Sequence, residues 1–233
     1  MALKPAIGVI GGLGPQASAL LYQLLVDRAR YHTDLRDTAD YPRIVLVSTS
    51  IPNYLSTGEA TDPAIMAQVI GLVQEEVRVL EQAGSIVIGI ACNTAHLALD
   101  ALQAVTSVPF LSIMDLMQDA ARPFKRPGLL STRLTKQTGL YDTVHPALFV
   151  PDDSVLEQAE TWVFKLLDGS LTPEDAEEFH RFVEDYQKTN ELDAVLLACT
   201  ELPVVYGPAN RPSIVSTLDV LADGLLSYYY RHV

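Results

Sequence analysis

Only two cysteines occur in the chain, and both stand at the same kind of corner. In "VIGIACNTAHLAL" (87–99) a Val/Ile-rich run stops at Cys92, and Asn93, Thr94 and His96 follow before the apolar spacing turns helical. In "VLLACTELP" (195–203) another apolar run stops at Cys199, with Thr200 and Glu201 behind it. A thiol at the start of a helix has its thiolate favoured by the backbone dipole, relative to a free pKa of about 8.5. A thiolate is a nucleophile and also a usable general base. Two thiols flanking one carbon can take a proton from one face and return another to the opposite face, which inverts a stereocentre without a cofactor or metal. Backbone N–H groups at both helix starts, with Asn93, Thr94 and Thr200, suit a carboxylate and the charge it gains in the transition state. The plainer reading is that a free Cys packs as a small hydrophobe. That reading weakens when both cysteines precede polar residues at matching positions. A structural disulfide lacks the oxidising context it needs.

Other residues are less specific. In "GVIGGLGPQAS" the spacing Gly12-x-Gly14-x-x-Ala17, after a strand and before a helix, fits a relaxed dinucleotide fingerprint. The acidic residue expected at the end of the second strand is missing, since that strand ends "VSTS" (47–50). The loop therefore reads as a tight glycine turn whose amides, with Gly12 and Gln16, face a small anion. His96 can tune Cys92 or simply cap and pack. Glu201 can touch the ligand, position a thiol, or merely be a favoured first-turn acid. Glu177-x-x-His180 is a single carboxylate–histidine fragment and reads as surface helix. The terminal "SYYYRHV" reads as a helix docking an aromatic face.

The elements that must hold these residues alternate. "AIGVIG" (6–11), "RIVLVST" (43–49), "SIVIGI" (85–90), "PFLSI" (109–113), "PGLLST" (127–132), "ALFVP" (147–151) and "DAVLLA" (193–198) read as strands. Continuous rather than alternating apolar runs indicate strands buried on both faces of a parallel sheet. Helical patterns separate them: "PQASALLYQLLVDRAR", 62–84 with Asp62 as cap and Pro63 at its first position, roughly 153–168, roughly 173–189, and the C-terminal segment. The class is α/β. Three blocks recur in order: "IGVIGG" with "GLLST", "IGIACNTA" with "LLACTEL", and "PFLSIMDLMQDA" with "RPSIVSTLDVLADG", the last pair each carrying an Asp (Asp115, Asp219). Such a repeat predicts two homologous, pseudo-symmetric lobes with Cys92 and Cys199 at one shared station. Ligands of open parallel sheets sit outside the carboxyl ends of the strands, where both cysteines fall.

The totals set bounds. At 233 residues, 48% hydrophobic and 19% charged, the chain has the makeup of an ordinary globular protein large enough for one large or two small cores. A net charge of −13 argues against a nucleic-acid partner. No stretch has the length of a membrane span, and the start lacks a signal-peptide pattern, so a cytoplasmic protein with free thiols is expected.

Taken together, "IGVIGGLGP", "ACNTAH", "GLLSTRLT" and "ACTELP" resemble the aspartate/glutamate racemase family, in that family's order and across nearly the whole chain. The paired CNT and CTE signatures are the specific part. The resemblance implies two flavodoxin-like lobes, 1–112 plus 207–233 and 113–206, with the active site between them. It implies a cofactor-independent, two-base racemisation of an amino acid, with Cys199 deprotonating the L-enantiomer and Cys92 the D-enantiomer. It places the α-carboxylate on Asn93, Thr94, Thr132 and Thr200, and it implies a homodimer. One departure stands out. Where aspartate-specific members carry "IPDR", this chain reads "IPNY", so Asn53 and Tyr54 replace the Asp and the carboxylate-binding Arg. A later basic position aligns with Thr161. Arg133 or Lys136 are the candidates to replace the lost cation, and Tyr54 lines the distal end of the substrate. The alternatives are a cysteine-dependent isomerase of a small dicarboxylate, and a catalytically silent small-carboxylate binding protein.

Overall fold

The computed structural model describes residues 3–51, 62–208 and 211–233. They fall into two compact units, Met1–Ser112 with Leu221–Val233, and Ile113–Val220. The first unit holds β1 (Ala6–Gly11), α1 (Pro15–Arg28), β2 (Arg43–Ser48), α2 (Pro63–Gln82), β3 (Ser85–Ile90), a 3-10 turn at Thr94–Ala98 and α3 (Leu99–Gln103). The second holds α4 (Ile113–Ala121), β4 (Pro127–Leu130), α5 (Arg133–Gln137), α6 (Asp153–Asp168), α7 (Pro173–Thr189), β5 (Ala194–Leu197), α8 (Leu202–Tyr206) and β6 (Ile214–Ser216). The last helix, α9 (Thr217–His232), starts in the second unit and continues in the first.

Each unit is built on a parallel three-stranded sheet, in the order β2-β1-β3 and β4-β5-β6. The central strands are buried along their whole length, as their unbroken apolar runs require. Two expected strands shrink to one bridge each. Phe110 pairs with Ile88 and Phe149 with Gly128. Prolines set the limit: Pro109 precedes Phe110, while Pro146 and Pro151 flank the other segment, and none has an N–H to give to a ladder. With those bridges included, the repeat read from the sequence has a structural counterpart. β1 and β4 occupy the same place in their sheets, β3 and β5 the next, and Phe110 and β6 the next again.

The expected C-terminal lobe ended at 206. The division instead falls between Val220 and Leu221, because β6 adds to β5 and carries residues 207–220 with it.

The helices follow from their termini and inner faces. Asp62 accepts from the amides of Ala64 and Ile65 to start α2, whose Val73, Val77 and Leu80 turn inward. On α6 the inward residues include Leu156, Ala159, Trp162, Val163 and Leu166, and Gly169 closes the helix in the left-handed conformation that only glycine adopts at little cost. Thr172 and Asp175 form a reciprocal capping box at the start of α7. Trp162 packs at a tilt against Phe179 and Phe182, tying α6 to α7. No helix among the described residues is long and apolar enough to cross a membrane.

Candidate active site

The register of each sheet fixes where the chemistry-bearing residues emerge. In the first unit the last β1–β3 row is Ile10 with Ile90, and the Ala91 amide donates to the Ile10 carbonyl. Gly12 and Cys92 each lie two residues beyond that row. In the second unit the last β4–β5 row is Leu130 with Leu197, and the Ala198 amide donates to the Leu130 carbonyl. Thr132 and Cys199 each lie two residues beyond that one. The two cysteines therefore occupy equivalent stations at the carboxyl ends of their sheets, and neither is in a disulfide.

Around Cys92, which is half-buried, the Thr94 hydroxyl lies 3.3 Å from Sγ. His96 is buried, with Nδ1 2.9 Å from the Cys92 carbonyl, so its ring is tied to the backbone at the cysteine. Asn93 is buried beside them. Around Cys199 the packing is tighter. Its Sγ donates to Glu201 Oε2 at 3.0 Å, and the Thr200 hydroxyl donates to the same oxygen at 3.0 Å. Burial pushes the Glu201 carboxyl above its usual range, and these two donors offset only part of that rise. Tyr141 is also buried close by. Its phenol is pushed well above its ordinary range, first by burial and then by the charge of the Cys199 thiolate.

The helix starts expected at the cysteines are weaker than the sequence suggests. Cys92 is followed by a five-residue 3-10 turn and then by the five residues of α3, and α8 after Cys199 is also five residues long. So few aligned peptides make little macrodipole. Among the described residues, Thr94 and His96 on one side, and Thr200, Glu201 and Tyr141 on the other, are groups close enough to tune the thiols.

Gly12 also differs from expectation. Its φ of +84° permits the turn, and a Cβ there would sit 2.4 Å from the Thr49 carbonyl. Its amide, however, donates to Ser18 Oγ at 2.9 Å, and that hydroxyl donates to the Gly14 carbonyl at 2.8 Å. The Gly12 N–H is spent inside the loop instead of facing an anion. Gln16 is half-buried in the first turn of α1.

Thr132 is the cap of α5, accepting from the Thr135 amide. The residue after it, Arg133, does not stand ready for a substrate. Its amide donates to Glu160 Oε1 at 2.6 Å and its Nε to Glu160 Oε2 at 2.8 Å, with Glu157 3.6 Å from the guanidinium. Lys136 donates to Asp153 at 2.7 Å and to the Pro151 carbonyl at 2.8 Å. Both candidate replacements for the missing cation are thus held by α6 and its approach. Thr161 is exposed on α6 and donates to the Gln158 carbonyl. Asn53 and Tyr54 lie outside the described residues. His180 Nε2 lies 2.6 Å from the Tyr206 carbonyl with the rings stacked, and among the described residues no group of three or more His, Cys, Asp or Glu is placed to hold a metal.

Sequence reasoning missed Glu160 and Tyr141. Glu160 had a signal: it sits four residues after Leu156 and next to Ala159, on the apolar stripe of α6, where a carboxylate needs a partner. Tyr141 lies in an irregular stretch with no period to mark it as buried.

Comparison with known proteins bears on the family and the fold. A family model described as Asp/Glu/Hydantoin racemase matches residues 10–223. The broad specificity amino-acid racemase RacX of Bacillus subtilis (strain 168) is 28% identical over 139 residues, a match that spans only 59% of either protein. An aspartate racemase of Picrophilus torridus has the same fold, with a TM-score of 0.75 at 24% identity over 98% of both chains. So does an aspartate racemase homologue from Pyrococcus horikoshii OT3, with a TM-score of 0.74 at 24% identity over 97% of this chain and 99% of that one. With 214 consecutive positions (10–223) under the family model, the chain belongs to the Asp/Glu/Hydantoin racemase family.

Proposed function

We propose that the protein is an amino-acid racemase that uses Cys92 and Cys199 as a pair of acid–base groups. The observation that carries this reading is the equivalence of the two thiols, each two residues past the last paired row of its sheet, in a chain of a racemase family. In one direction the Cys199 thiolate takes the Cα proton and the Cys92 thiol returns one to the opposite face. The reaction leaves Cys199 as thiol and Cys92 as thiolate, and the reverse reaction restores them. Asn93, Thr94, Thr132 and Thr200 bind the α-carboxylate and the charge that builds on it as the Cα proton leaves.

Glu201 readies Cys199. The thiol already donates to its carboxylate. Burial raises the carboxyl toward the range of the thiol, so passing that proton from sulfur to oxygen costs less than it would to an ordinary glutamate. Glu201 is therefore a positioning residue that shares the proton of Cys199. His96, through the Cys92 carbonyl, holds the backbone at the other thiol.

The test is isotope exchange. Single-enantiomer amino acids are incubated with the protein in D2O, and loss of the Cα proton is followed by NMR together with optical rotation. Exchange with loss of optical purity is the expected result. Tight binding of a carboxylate without exchange would sink the racemase reading in favour of a silent binding protein, and a stable adduct on one cysteine would favour an isomerase that adds to a double bond.

A further inference from the structure

The fold distributes positive charge in a way that bears on the substrate. All sixteen Lys and Arg residues fall within the described residues, and 52–61, the segment following β2, contains neither. In the first unit Lys4 and Arg43 stand at the amino ends of β1 and β2. Arg28, Arg30 and Arg36 lie between the end of α1 and the start of β2, Arg78 sits in the C-terminal half of α2, and Arg231 sits in the closing turn of α9. In a parallel α/β unit these are positions at the amino edge of the sheet, opposite the edge where Cys92 emerges.

The second unit repeats the pattern. Arg122, Lys125 and Arg126 lead into β4, Lys188 ends α7, and Arg211 precedes β6. Lys165 is bound by Asp175 at the α6–α7 turn, and Arg181 is exposed midway along α7. Only Arg133 and Lys136 follow the carboxyl end of a strand. Arg133 is gripped through both its amide and its Nε by the two oxygens of a buried carboxylate, and Lys136 is bound by Asp153.

A distal carboxylate on the substrate would need a cation to meet it once desolvated. Arg133 and Lys136, the cations that directly follow β4, are both already neutralised, and the same stretch of the unit holds the buried Glu201 and Glu160 carboxylates. The chain as a whole carries −13, which further disfavours an anionic ligand. We infer that the substrate is an α-amino acid whose side chain bears no negative charge, and that Glu160 helps to enforce this by holding Arg133 away from the substrate.

The inference rests on the racemase reading, and the experiment separates the two. Cα exchange in D2O is measured for L-Asp and L-Glu beside their uncharged counterparts L-Asn and L-Gln, and for L-Lys. The expected result is that kcat/KM for Asn or Gln exceeds that of the matching acid by at least about 10-fold. Equal or faster exchange of Asp or Glu overturns the substrate class and leaves the racemase reading standing. Silence on all five removes the racemase reading and this inference with it. In Glu160→Gln the freed Arg133 is expected to raise the Asp/Asn ratio of kcat/KM by about 10-fold or more, whereas a purely structural defect lowers both together and leaves the ratio unchanged. An unchanged ratio overturns the role given to Glu160. The wild-type comparison decides the substrate class even if that variant does not fold.

Discussion

At the scale of single residues, the asymmetry between the thiols is the informative feature. Cys92 has a hydroxyl and a tethered imidazole nearby, and Cys199 has a carboxylate. Cys92→Ser and Cys199→Ser are each expected to lower racemisation by about 10²–10⁴-fold, the range for loss of a positioned acid or base, while the fold survives. Circular dichroism alongside the NMR assay checks both. Glu201→Gln is expected to move the acid limb of the kcat/KM profile upward, toward the range of an unassisted thiol, about 8.5 for free cysteine. Stability should respond in the opposite sense. A carboxyl raised on folding contributes stability at pH below its ordinary value, and that contribution is lost as pH rises through the raised value. Wild-type unfolding midpoints should therefore fall across that interval, and Glu201→Gln should flatten the fall. The cysteines, Thr200 and Glu201 were legible in the sequence because polar residues interrupt an apolar strand at its end. The grip of Glu160 on Arg133 was not, because it joins residues 27 positions apart through a helix whose orientation no local pattern gives.

At the scale of elements, termini and turns decide more than propensity does. The α6–α7 hairpin depends on Thr172, Asp175 and Lys165. Thr172→Ala is expected to cost about 1 kcal/mol, read from chemical denaturation. The Asp175 carboxyl is held below its usual range, chiefly by its hydrogen bond from Lys165. A lowered carboxyl supplies stability above its ordinary value and loses it as pH falls through the lowered one, so Asp175→Asn should blunt acid unfolding of this hairpin. Gly12→Ala would force a left-handed backbone on a residue that resists it, at a cost on the order of 1–3 kcal/mol before the contact with Thr49 is counted. The helices at roughly 153–168 and 173–189 could be read, since the turn and cap between them agree with the apolar period. The strands at 109–113 and 147–151 could not, because an apolar run flanked by prolines reads as a strand whether one row pairs or five.

At the scale of the whole molecule, the sequence repeat and the sheet order describe one design used twice, with a thiol at the same station of each copy. The net charge belongs to this scale as well. Raising ionic strength from about 10 mM to 150 mM screens the long-range field, so any residual KM for Asp or Glu should fall with salt while that for Asn or Gln stays level. Initial rates at the two salt concentrations check this. The boundary between the units was misplaced by the sequence reading because β6 is only three residues long and lies against a glycine- and proline-rich connection.

That boundary has a consequence for how the protein is made. The groove at Gly89 on β3 is filled by Leu221 and Leu225 of α9, packed so closely that a methyl at Gly89 would lie 2.8 Å from a Leu225 carbon. Residues from 221 onward leave the ribosome only after the entire second unit has been synthesised. The first unit, begun earliest, must therefore wait with one face of β3 uncovered while the second can already close its own sheet. The half that starts first finishes last, and during that delay the apolar strands around Gly89 are the surface a chaperone would have to shield.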